Sequence, residues 1–191
     1  MKYLCLPFDS YSFEQYSLVT IREEDLLIIK DWRNKQIDVL RQKAPLTDED
    51  QMVYYHQVIK PSFTQESPSL ILFSYLLKNQ CIGYGGLTNI DWEVPRAEIS
   101  FLMNPERIND TSLYQKEFTV FLKLLKKAAF EDLGMNRLFT ETYDIRPTHI
   151  ATLELNGFKR EGRMKNHVMA QGRLVDSLIH GCLKGCYHVE E

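Results

Sequence analysis

The segment from Leu70 to Met103 constrains the fold of this chain more than any other. Three apolar runs, at 70–78, 80–91 and 96–103, follow one another with only short polar sequences between them. Runs of this length that are bounded by turn residues and rich in β-branched and aromatic residues are typical of strands. Short connections favour antiparallel hairpins. The sequence therefore predicts three neighbouring antiparallel strands in one sheet.

The last of these runs shows which side chains share a face. Ala97, Ile99, Phe101 and Met103 are apolar and occupy alternate positions. Because side chains along a strand point in turn to the two faces of a sheet, Glu98 is predicted on the face opposite these four residues. A carboxylate placed in this way is a candidate general base. The alternative is a charged residue on a partly solvated strand face.

A long helix is predicted directly after this strand. Between Thr111 and Gly134 apolar residues recur at the i, i+3, i+4 and i+7 spacing of a helix, and a glycine commonly ends one. The connection "NPERIND" brings the unpaired backbone N–H groups of the helix start to the end of the strand, and such groups bind anions. The alternative is an ordinary helix start capped by Asp110, Thr111 or Ser112.

The remaining segments complete an order of strands and helices. Strands are predicted at 16–23, 136–143, 158–169 and 173–183, and helices at 23–34, from Thr47 and at 146–157. Thr47 and Asp50 resemble a capping box with Asp in place of Glu. The order is β-α-α-β-β-β-α-β-α-β-β, an α/β chain whose length fits a single domain over 1–191. Residues 1–14 are interpreted as an N-terminal extension and 184–191 as a C-terminal tail.

Composition argues against several classes of function. The formal net charge is -3, so neither nucleic acid nor an anionic membrane is expected as a partner. No run approaches the eighteen or so apolar residues of a membrane span. The N-terminus lacks the long apolar region and cleavage site of a signal peptide, so a cytoplasmic location is expected.

The four cysteines are expected to be reduced thiols, because a chain of this length in the cytoplasm needs no disulfide framework. His180, Cys182, Cys186 and His188 lie close together in sequence, and all are residue types that bind zinc. Their C-x3-C spacing differs from that of a zinc ribbon. A final strand with an irregular tail is the simpler interpretation, and no metal is expected.

The last third of the chain carries specific motifs: "FEDLGMNR" leading into a strand, a helix that ends "LELNGFKREG", and "GRLVDS". Together with the element order, they resemble the GCN5-related N-acetyltransferase (GNAT) superfamily. Within it, the chain is most similar to the branch of ribosomal-protein N-terminal and nucleotide-amino-sugar N-acetyltransferases. The resemblance implies a mixed sheet in which the strands carrying "EISFLM" and "LFTETY" splay apart. Acetyl-CoA, the co-substrate, would lie in the gap.

The resemblance implies a binding site for coenzyme A at the start of the long helix and on the preceding strand. The implied residues are Leu102, Met103, Asn104, Thr111, Ser112, Leu113, Tyr114, Gln115, Lys116 and Arg146. Members of the family usually have glycines where Tyr114 and Lys116 stand here. We expect the backbone amides and the helix dipole to attract the pyrophosphate nonetheless, with Lys116 adding positive charge.

The resemblance also implies a tyrosine that protonates the departing thiolate, on the helix after the fifth strand. That position is Leu153 here, which has no proton to donate. Tyr143, at the end of the preceding strand, is predicted to act as the acid, and water is the alternative. Glu98 is predicted to deprotonate the acceptor amine. His149 is expected on a solvated face of the helix, and contact with the cofactor is the alternative.

The acceptor site is predicted on the first helices and their loop, together with the turn after the second central strand. The implied residues are Trp32, Arg33, Asn34, Arg41, Asp91 and Trp92. Aromatic rings combined with Arg and Asp suit a sugar or base that carries phosphate or hydroxyl groups. The alternative is that Trp32 packs in the core and the arginines lie on the surface.

The sequence therefore predicts an acetyl-CoA-dependent N-acetyltransferase that acts on a primary amine by direct transfer in a ternary complex. The preferred acceptor is a small molecule, a nucleotide-linked amino sugar, and the alternative is the N-terminus of a protein. A binding module with this fold and no activity is a further alternative. Homodimers formed through the final strands are common in such folds, and nothing in the sequence decides whether this chain forms one.

Overall fold

The computed structural model describes residues 2–187, and one mixed sheet forms its centre. The strands are β1 (Ser10–Phe13), β2 (Tyr16–Thr20), β3 (Ile71–Leu77), β4 (Gln80–Asp91), β5 (Arg96–Met103), β6 (Arg137–Tyr143), β7 (Lys159–Ala170) and β8 (Arg173–Leu183). Their order in the sheet is β1-β2-β3-β4-β5-β6-β8-β7. Only β5 and β6 are parallel neighbours; the other pairs are antiparallel.

Helices cover both faces of this sheet. They are α1 (Leu26–Lys35), α2 (Asp48–Tyr54), α3 (Lys60–Ser62), α4 (Pro105–Ile108), α5 (Thr111–Lys126) and α6 (Pro147–Leu155). Phe121 of α5 packs on the rings of Tyr75 and Phe101. Arg33 of α1 reaches Tyr84, which lies on the opposite face by strand alternation. The core is therefore divided by the sheet into two layers.

Helix α2 begins as the sequence predicts. Thr47 is its N-cap: its hydroxyl accepts a hydrogen bond from the Asp50 amide, and the Asp50 carboxylate accepts one from the Thr47 amide. The helix continues through a π-helical turn, Tyr55–Ile59, into α3. A second π-helical turn, Lys127–Asp132, extends α5, and Gly134 follows with a φ of 68°. This positive φ explains the glycine at the predicted stop.

The N-terminal segment differs from the predicted extension. Ser10–Phe13 forms the edge strand β1 in a hairpin with β2, and Glu14 in the turn has a φ of 52°. Tyr3 and Leu6 are buried, and the Tyr3 hydroxyl accepts a hydrogen bond from the Leu72 amide, 2.7 Å away. The strand is short and its polar residues alternate with aromatic ones, which is why a periodicity search passes over it.

The two central strands diverge where the resemblance predicts a gap. The β5–β6 ladder pairs only Arg96, Ala97 and Glu98 with the segment from Arg137 to Phe139. Beyond these pairs the strands separate, although β5 stays paired with β4 as far as Met103. The predicted order and the mixed, splayed sheet are confirmed. None of the helices in the described part of the chain is long and apolar enough to span a membrane.

Candidate active site

The gap between β5 and β6 contains a cavity of about 270 Å³. Its walls include Glu98 and Ser100 from one face of β5 and Phe101 from the other face, together with the β6 residues from Thr140 to Tyr143. Side chains from both faces of one strand can line a single cavity only where that strand has lost its neighbour. The cavity therefore reaches both faces of the sheet at the gap.

Glu98 lies buried at this cavity with three hydrogen-bond donors around it. Arg41 contributes two, Nη2 to Oε1 at 2.6 Å and Nη1 to Oε2 at 3.2 Å. Asn89 contributes the third, Nδ2 to Oε2 at 2.7 Å. Asn89 has a φ of 48° where the β4–β5 register shifts between Thr88 and Asp91. This bulge turns the Asn89 side chain towards Glu98.

Arg41 connects the two diverging strands at the mouth of the gap. Besides Glu98 on β5, its Nη2 atom contacts Oε2 of Glu141 on β6, 2.9 Å away. The hydrogen bond to Glu98 raises the pKa of Arg41 above its usual value, so the guanidinium stays positively charged. Arg41 belongs to the loop between α1 and α2, and Asn34 secures that loop by hydrogen bonds with the backbone of Leu46.

Two hydroxyl groups on the β6 wall of the cavity, those of Tyr143 and Thr142, have different surroundings. Burial raises the pKa of the Tyr143 hydroxyl, and Glu141 adds to the effect while Arg41 opposes it. Tyr143 therefore keeps its proton near neutral pH. Thr142 is 3% exposed, and its Oγ1 atom has no hydrogen-bond partner among residues 2–187. A buried hydroxyl without a partner is costly, so the Thr142 side chain destabilises this wall of the cavity in the free protein.

His149 is buried on the other side of the gap, which corrects the expectation of a solvated helix face. Its Nδ1 atom lies 2.7 Å from the Tyr114 hydroxyl, and its ring stacks on Phe118 with centroids 4.4 Å apart. Burial, with Arg146 nearby, lowers the pKa of His149 well below its ordinary value. The imidazole is therefore neutral. His149 lies one helical turn before the buried Leu153, and that spacing was the available signal.

A second cavity, of about 380 Å³, continues from the first towards the start of α5. Both cavities are lined by Val39, Arg146 and His149. Tyr114 and Ile108 line the second one only. Two of the predicted cofactor residues, Tyr114 and Arg146, therefore lie in one place. Lys116 is on an exposed face of α5.

The start of α5 is less open to an anion than the sequence predicts. The Asp110 carboxylate accepts a hydrogen bond from the Leu113 amide at 3.0 Å, and the Asp110 carbonyl accepts one from the Tyr114 amide at 2.9 Å. In the helix, the amides of Gln115 and Lys116 bond to carbonyls four residues earlier. Of the predicted segment, Thr111 and Ser112 keep backbone amides for an anion. An aspartate is a preferred N-cap, and here it places a negative charge beside them.

The backbone of β5 offers fewer groups to the gap than predicted. The Asn104 amide donates to the Ile82 carbonyl in β4 at 2.9 Å. Because backbone groups alternate between the two edges of a strand, Leu102 also faces β4, and Met103 and Phe101 face the gap. Gln36 Nε2 already donates to the Met103 carbonyl at 2.9 Å. Of Leu102, Met103 and Asn104, only Met103 has its backbone amide on the edge of β5 that faces β6, and none of the three lines the two cavities.

The predicted acceptor residues are not brought together. Arg33 and Arg41 line the gap cavity, but Trp32 is 4% exposed and belongs to the core, because it lies on the buried side of α1. Asn34 supports the loop. Asp91 and Trp92 lie at the far end of β4.

Both of these residues have local structural partners. The Asp91 carboxylate accepts hydrogen bonds from the amides of Glu93 and Val94 in the turn and pairs with Arg96. The Trp92 Nε1 atom donates to the Pro68 carbonyl. Neither residue lines the cavities described here. Sequence reasoning missed Asn89, Glu141 and Thr142, and it preferred a solvated face for His149.

Cysteine and metal chemistry receive no support from the described residues. Cys5, Cys81, Cys182 and Cys186 are free thiols, and burial raises the pKa of Cys81 to about 12. Such a thiol is a poor nucleophile near neutral pH. Within residues 2–187, no group of three or more His, Cys, Asp or Glu side chains has the arrangement of a metal site. His188, the last residue of the zinc alternative, lies outside the described residues.

Comparison with known proteins decides the family. The model of the acetyltransferase (GNAT) domain matches residues 18–179. The chain belongs to this family. It is an N-acetyltransferase that takes the acetyl group from acetyl-CoA and transfers it to an amine. The finer assignment to the ribosomal and amino-sugar branch is not settled by this match.

Solved structures of similar fold include Vibrio cholerae spermidine N-acetyltransferase in complex with CoA and spermine. It has a TM-score of 0.78 and 18% identity over 91% of this chain and 98% of that chain. A dodecameric structure of the spermidine enzyme in an intermediate state has a TM-score of 0.71 and 18% identity over 90% and 95%. At this identity the likeness concerns the fold. No curated protein sequence matches the chain.

The residues of the gap fit the pantetheine arm of acetyl-CoA better than its pyrophosphate. Pantetheine carries amide groups on an apolar chain. The gap offers the free edge of β5 and the rings of Phe101 and Phe118. The pyrophosphate has the Thr111 and Ser112 amides and the Arg146 guanidinium, and it must tolerate Asp110 nearby.

Proposed function

We propose that this acetyltransferase acts directly on a primary amine that enters from the Glu98 side of the gap, while acetyl-CoA enters from the α5 side. The observation that carries the proposal is the cavity that reaches both faces of the sheet, lined by Glu98 on one face of β5 and by Phe101 and His149 towards the other. Two substrates that approach from opposite faces meet inside one cavity. Direct transfer then needs no covalent enzyme intermediate.

Acetyl-CoA supplies the activated acyl group, and the chain positions it. Met103 directs its backbone amide into the gap next to the site of the thioester. Arg146, with the amides of Thr111 and Ser112, attracts the pyrophosphate, and Lys116 contributes positive charge from the exposed side of the helix. The predicted roles of Leu102 and Asn104 are not carried forward, because β4 takes the Asn104 amide and the neighbouring Leu102 faces the same way.

Glu98 is the proposed base, and Arg41 controls access to it. Both Glu98 oxygens accept hydrogen bonds from Arg41, and Arg41 also donates one to Glu141. An incoming ammonium group is attracted by the same two carboxylates and competes with the guanidinium. When Arg41 gives up its contact with Glu98, the carboxylate is free to accept a proton from the amine. The neutral amine then attacks the carbonyl carbon.

Tyr143 is the proposed acid that protonates the departing thiolate. It lines the same cavity, and burial keeps its proton in place at neutral pH. A thiol has an ordinary pKa near 8.5, so protonation of its thiolate makes little demand on the donor. Cys81 takes no part, because its pKa is about 12.

The charge around the gap favours an acceptor with an anionic group elsewhere in the molecule. Arg33, Arg41 and Arg146 line the cavity, against two carboxylates, Glu98 and Glu141. Both carboxylates are already bound to Arg41. A nucleotide-linked amino sugar combines an amine with phosphates that arginine binds well. We therefore retain this acceptor as the preferred one.

Two other acceptors remain as alternatives with weaker support. A polyamine is suggested by the shared fold with the spermidine enzyme, but its further ammonium groups would meet Arg33 and Arg146 on the same cavity wall. The N-terminus of a protein would also present an amine. Neither alternative explains the excess of arginine at the gap.

An amine panel tests the proposed function. The purified protein is mixed with acetyl-CoA and, in separate reactions, with a uridine-diphosphate-linked amino sugar, spermidine or a peptide with a free N-terminus, and thiol release is followed. We expect release with the amino sugar. Release with spermidine alone would refute the anionic acceptor, and release with none of them would refute the proposed assignment of the acceptor side.

A further inference from the structure

A third cavity, of about 310 Å³, lies beneath α2. Arg33, Thr88 and Ser100 line both this cavity and the gap cavity, so the two are adjacent. Its volume is at the lower end of the range for small-molecule sites, roughly 300–1,000 Å³. Space of this size next to the proposed position of the amine suits one ring rather than an entire nucleotide.

Gln51 is the residue that marks this cavity as a binding site. It is 5% exposed and lines the cavity from α2. Its side-chain amide forms no hydrogen bond to another residue in the range 2–187, and its atoms are not among the fully buried polar atoms without a partner, so the amide is accessible from the cavity. Polar groups on the wall of a mostly apolar cavity commonly serve to orient a ligand. We therefore expect the partner of the Gln51 amide to come from a ligand.

The other polar groups of the cavity are mostly neutral. Tyr84 accepts a hydrogen bond from Arg33 Nη1 at 2.5 Å, and Tyr54 and Ser100 contribute further hydroxyl groups. The Asp50 carboxylate is held by the Thr47 amide and hydroxyl, which lowers the pKa of Asp50. A carboxylate already bound in this way is a poor partner for an ammonium group. The remaining wall is apolar, with Ile21, Ile59 and Leu72.

We propose that this cavity, the α2 subsite, binds the hydroxylated ring of an amino sugar while its amine extends into the gap towards Glu98. The proposal rests on the proposed function and specifies its acceptor class. Neutral amide and hydroxyl groups on one side with apolar contacts on the other match a sugar ring, which has hydroxyls at its edge and C–H groups on its faces. A polyamine would leave the Gln51 amide and the three hydroxyls with few partners.

Substitution of Gln51 tests this assignment with three amines. D-Glucosamine has a hydroxylated ring, cyclohexylamine has a ring of similar size without hydroxyls, and spermidine is a polycation. In the Gln51→Leu variant, we expect KM for D-glucosamine to rise about three- to tenfold, as for the loss of one hydrogen bond. Values of kcat for D-glucosamine and of KM for cyclohexylamine should stay within about twofold.

The melting temperature distinguishes a ligand-binding role of Gln51 from a structural one. If Gln51 stabilised the fold, its substitution would lower the melting temperature. Leucine replaces a buried amide without a partner, so the Gln51→Leu protein should melt at the same temperature or higher. Gln57→Leu is the matched control, because Gln57 lies on the exposed side of the adjoining π-helical turn. It should leave KM for all three amines unchanged.

Binding measurements separate this proposal from the proposed function. Calorimetry with D-glucosamine at millimolar concentration, in the presence of CoA, needs no turnover. Binding that weakens in Gln51→Leu but not in Gln57→Leu would support the α2 subsite even if no amine is acetylated. The subsite is refuted if D-glucosamine does not bind to the wild-type protein, if Gln51→Leu affects all three amines equally, or if it lowers the melting temperature.

Discussion

At the scale of single residues, the site depends on which partners each charge already has. Glu98 would be an ordinary strand carboxylate without Asn89 and Arg41, and the bulge that directs Asn89 towards it breaks the regular pairing of β4. Asparagine is uncommon inside strands, so its presence in "GGLTNID" is a signal that sequence reasoning could have used.

Glu98→Gln tests the base. The substitution keeps the shape of the side chain and removes its ability to take a proton, so kcat should fall about 10²- to 10⁴-fold, the usual contribution of a general base. KM for acetyl-CoA should stay within a few fold. Steady-state kinetics with a saturating amine measures both values. Glu106→Gln, at an exposed position of α4, is the control, and a similar loss there would argue against a special role for Glu98.

Arg41→Gln tests the competition at the two carboxylates. Loss of the guanidinium leaves Glu98 and Glu141 with negative charge that is not compensated by Arg41, so cationic acceptors should gain relative to anionic ones. We expect the ratio of kcat/KM for spermidine to that for a nucleotide-linked amino sugar to rise about tenfold, equivalent to about 1.4 kcal/mol. An unchanged ratio would show that Arg41 does not occupy the position of the amine.

Arg107→Met tests a buried ion pair at the start of α5. Arg107 Nε donates to Glu117 Oε2 at 2.7 Å, and the Glu117 side chain is fully buried. Removing the arginine leaves a buried carboxylate without its charge partner, so the free energy of unfolding should fall by about 3–5 kcal/mol. Denaturant unfolding measures it. The double variant Arg107→Met, Glu117→Gln should recover part of the loss, and a single variant as stable as wild type would contradict the account.

At the scale of the elements, the sequence predicts correctly those features that depend on neighbouring residues. The capping box of Thr47 and Asp50, the hairpin strands β3 to β5, and the end of α5 at Gly134 each depend on residues that are near in sequence. The exceptions have partners far away. Asp91 and Trp92 were placed in the acceptor site because of their residue types, but turn amides and the Pro68 carbonyl take their polar groups.

Asp110→Asn tests whether the negative charge of Asp110 weakens binding of the pyrophosphate at the start of α5. Asparagine is as good an N-cap as aspartate, so helix stability should be nearly unchanged while one negative charge is removed. Two unit charges about 4 Å apart interact by about 1 kcal/mol even in water, so CoA should bind about fivefold tighter. Calorimetry should show a larger gain at low ionic strength, because salt screens the repulsion.

Asp110→Ala is the matched comparison for this experiment. It removes the same charge together with the cap, so the free energy of unfolding should fall by about 1 kcal/mol. Tighter CoA binding in both variants would assign the effect to charge. Weaker binding in Asp110→Asn would show that the aspartate supports the cofactor instead of opposing it.

At the scale of the whole molecule, binding of acetyl-CoA should stabilise the fold. A ligand present at one hundred times its Kd and bound only by the native state adds about 2.7 kcal/mol to the free energy of unfolding. For a chain of this size, each kcal/mol raises Tm by about 2–4 °C. Thermal unfolding with increasing acetyl-CoA measures the shift. Desulfo-CoA without an acetyl group should give a smaller one, and no shift at millimolar concentration would contradict binding in the gap.

The element order can be predicted from the sequence, because strand and helix periodicities are local patterns. The position of the gap was implied by the resemblance to the GNAT family and not by periodicity. The contents of the gap could not be predicted in the same way. Arg41 reaches Glu98 across 57 positions of sequence and Glu141 across 100, and no periodicity encodes such contacts. Location in the cytoplasm and assembly into a homodimer stay predictions.

The brief parallel ladder between β5 and β6 has a consequence for the architecture of the chain. Within the described sheet, only three residue pairs of the strand ladder join the half built from β1 to β5 with the half built from β6, β8 and β7, and a single chain crossing, between α5 and β6, links them covalently. A break in that crossing would leave each group of strands intact. The molecule therefore suits reconstitution from two separately made fragments, whose reunion would report on any pair of proteins to which they were fused.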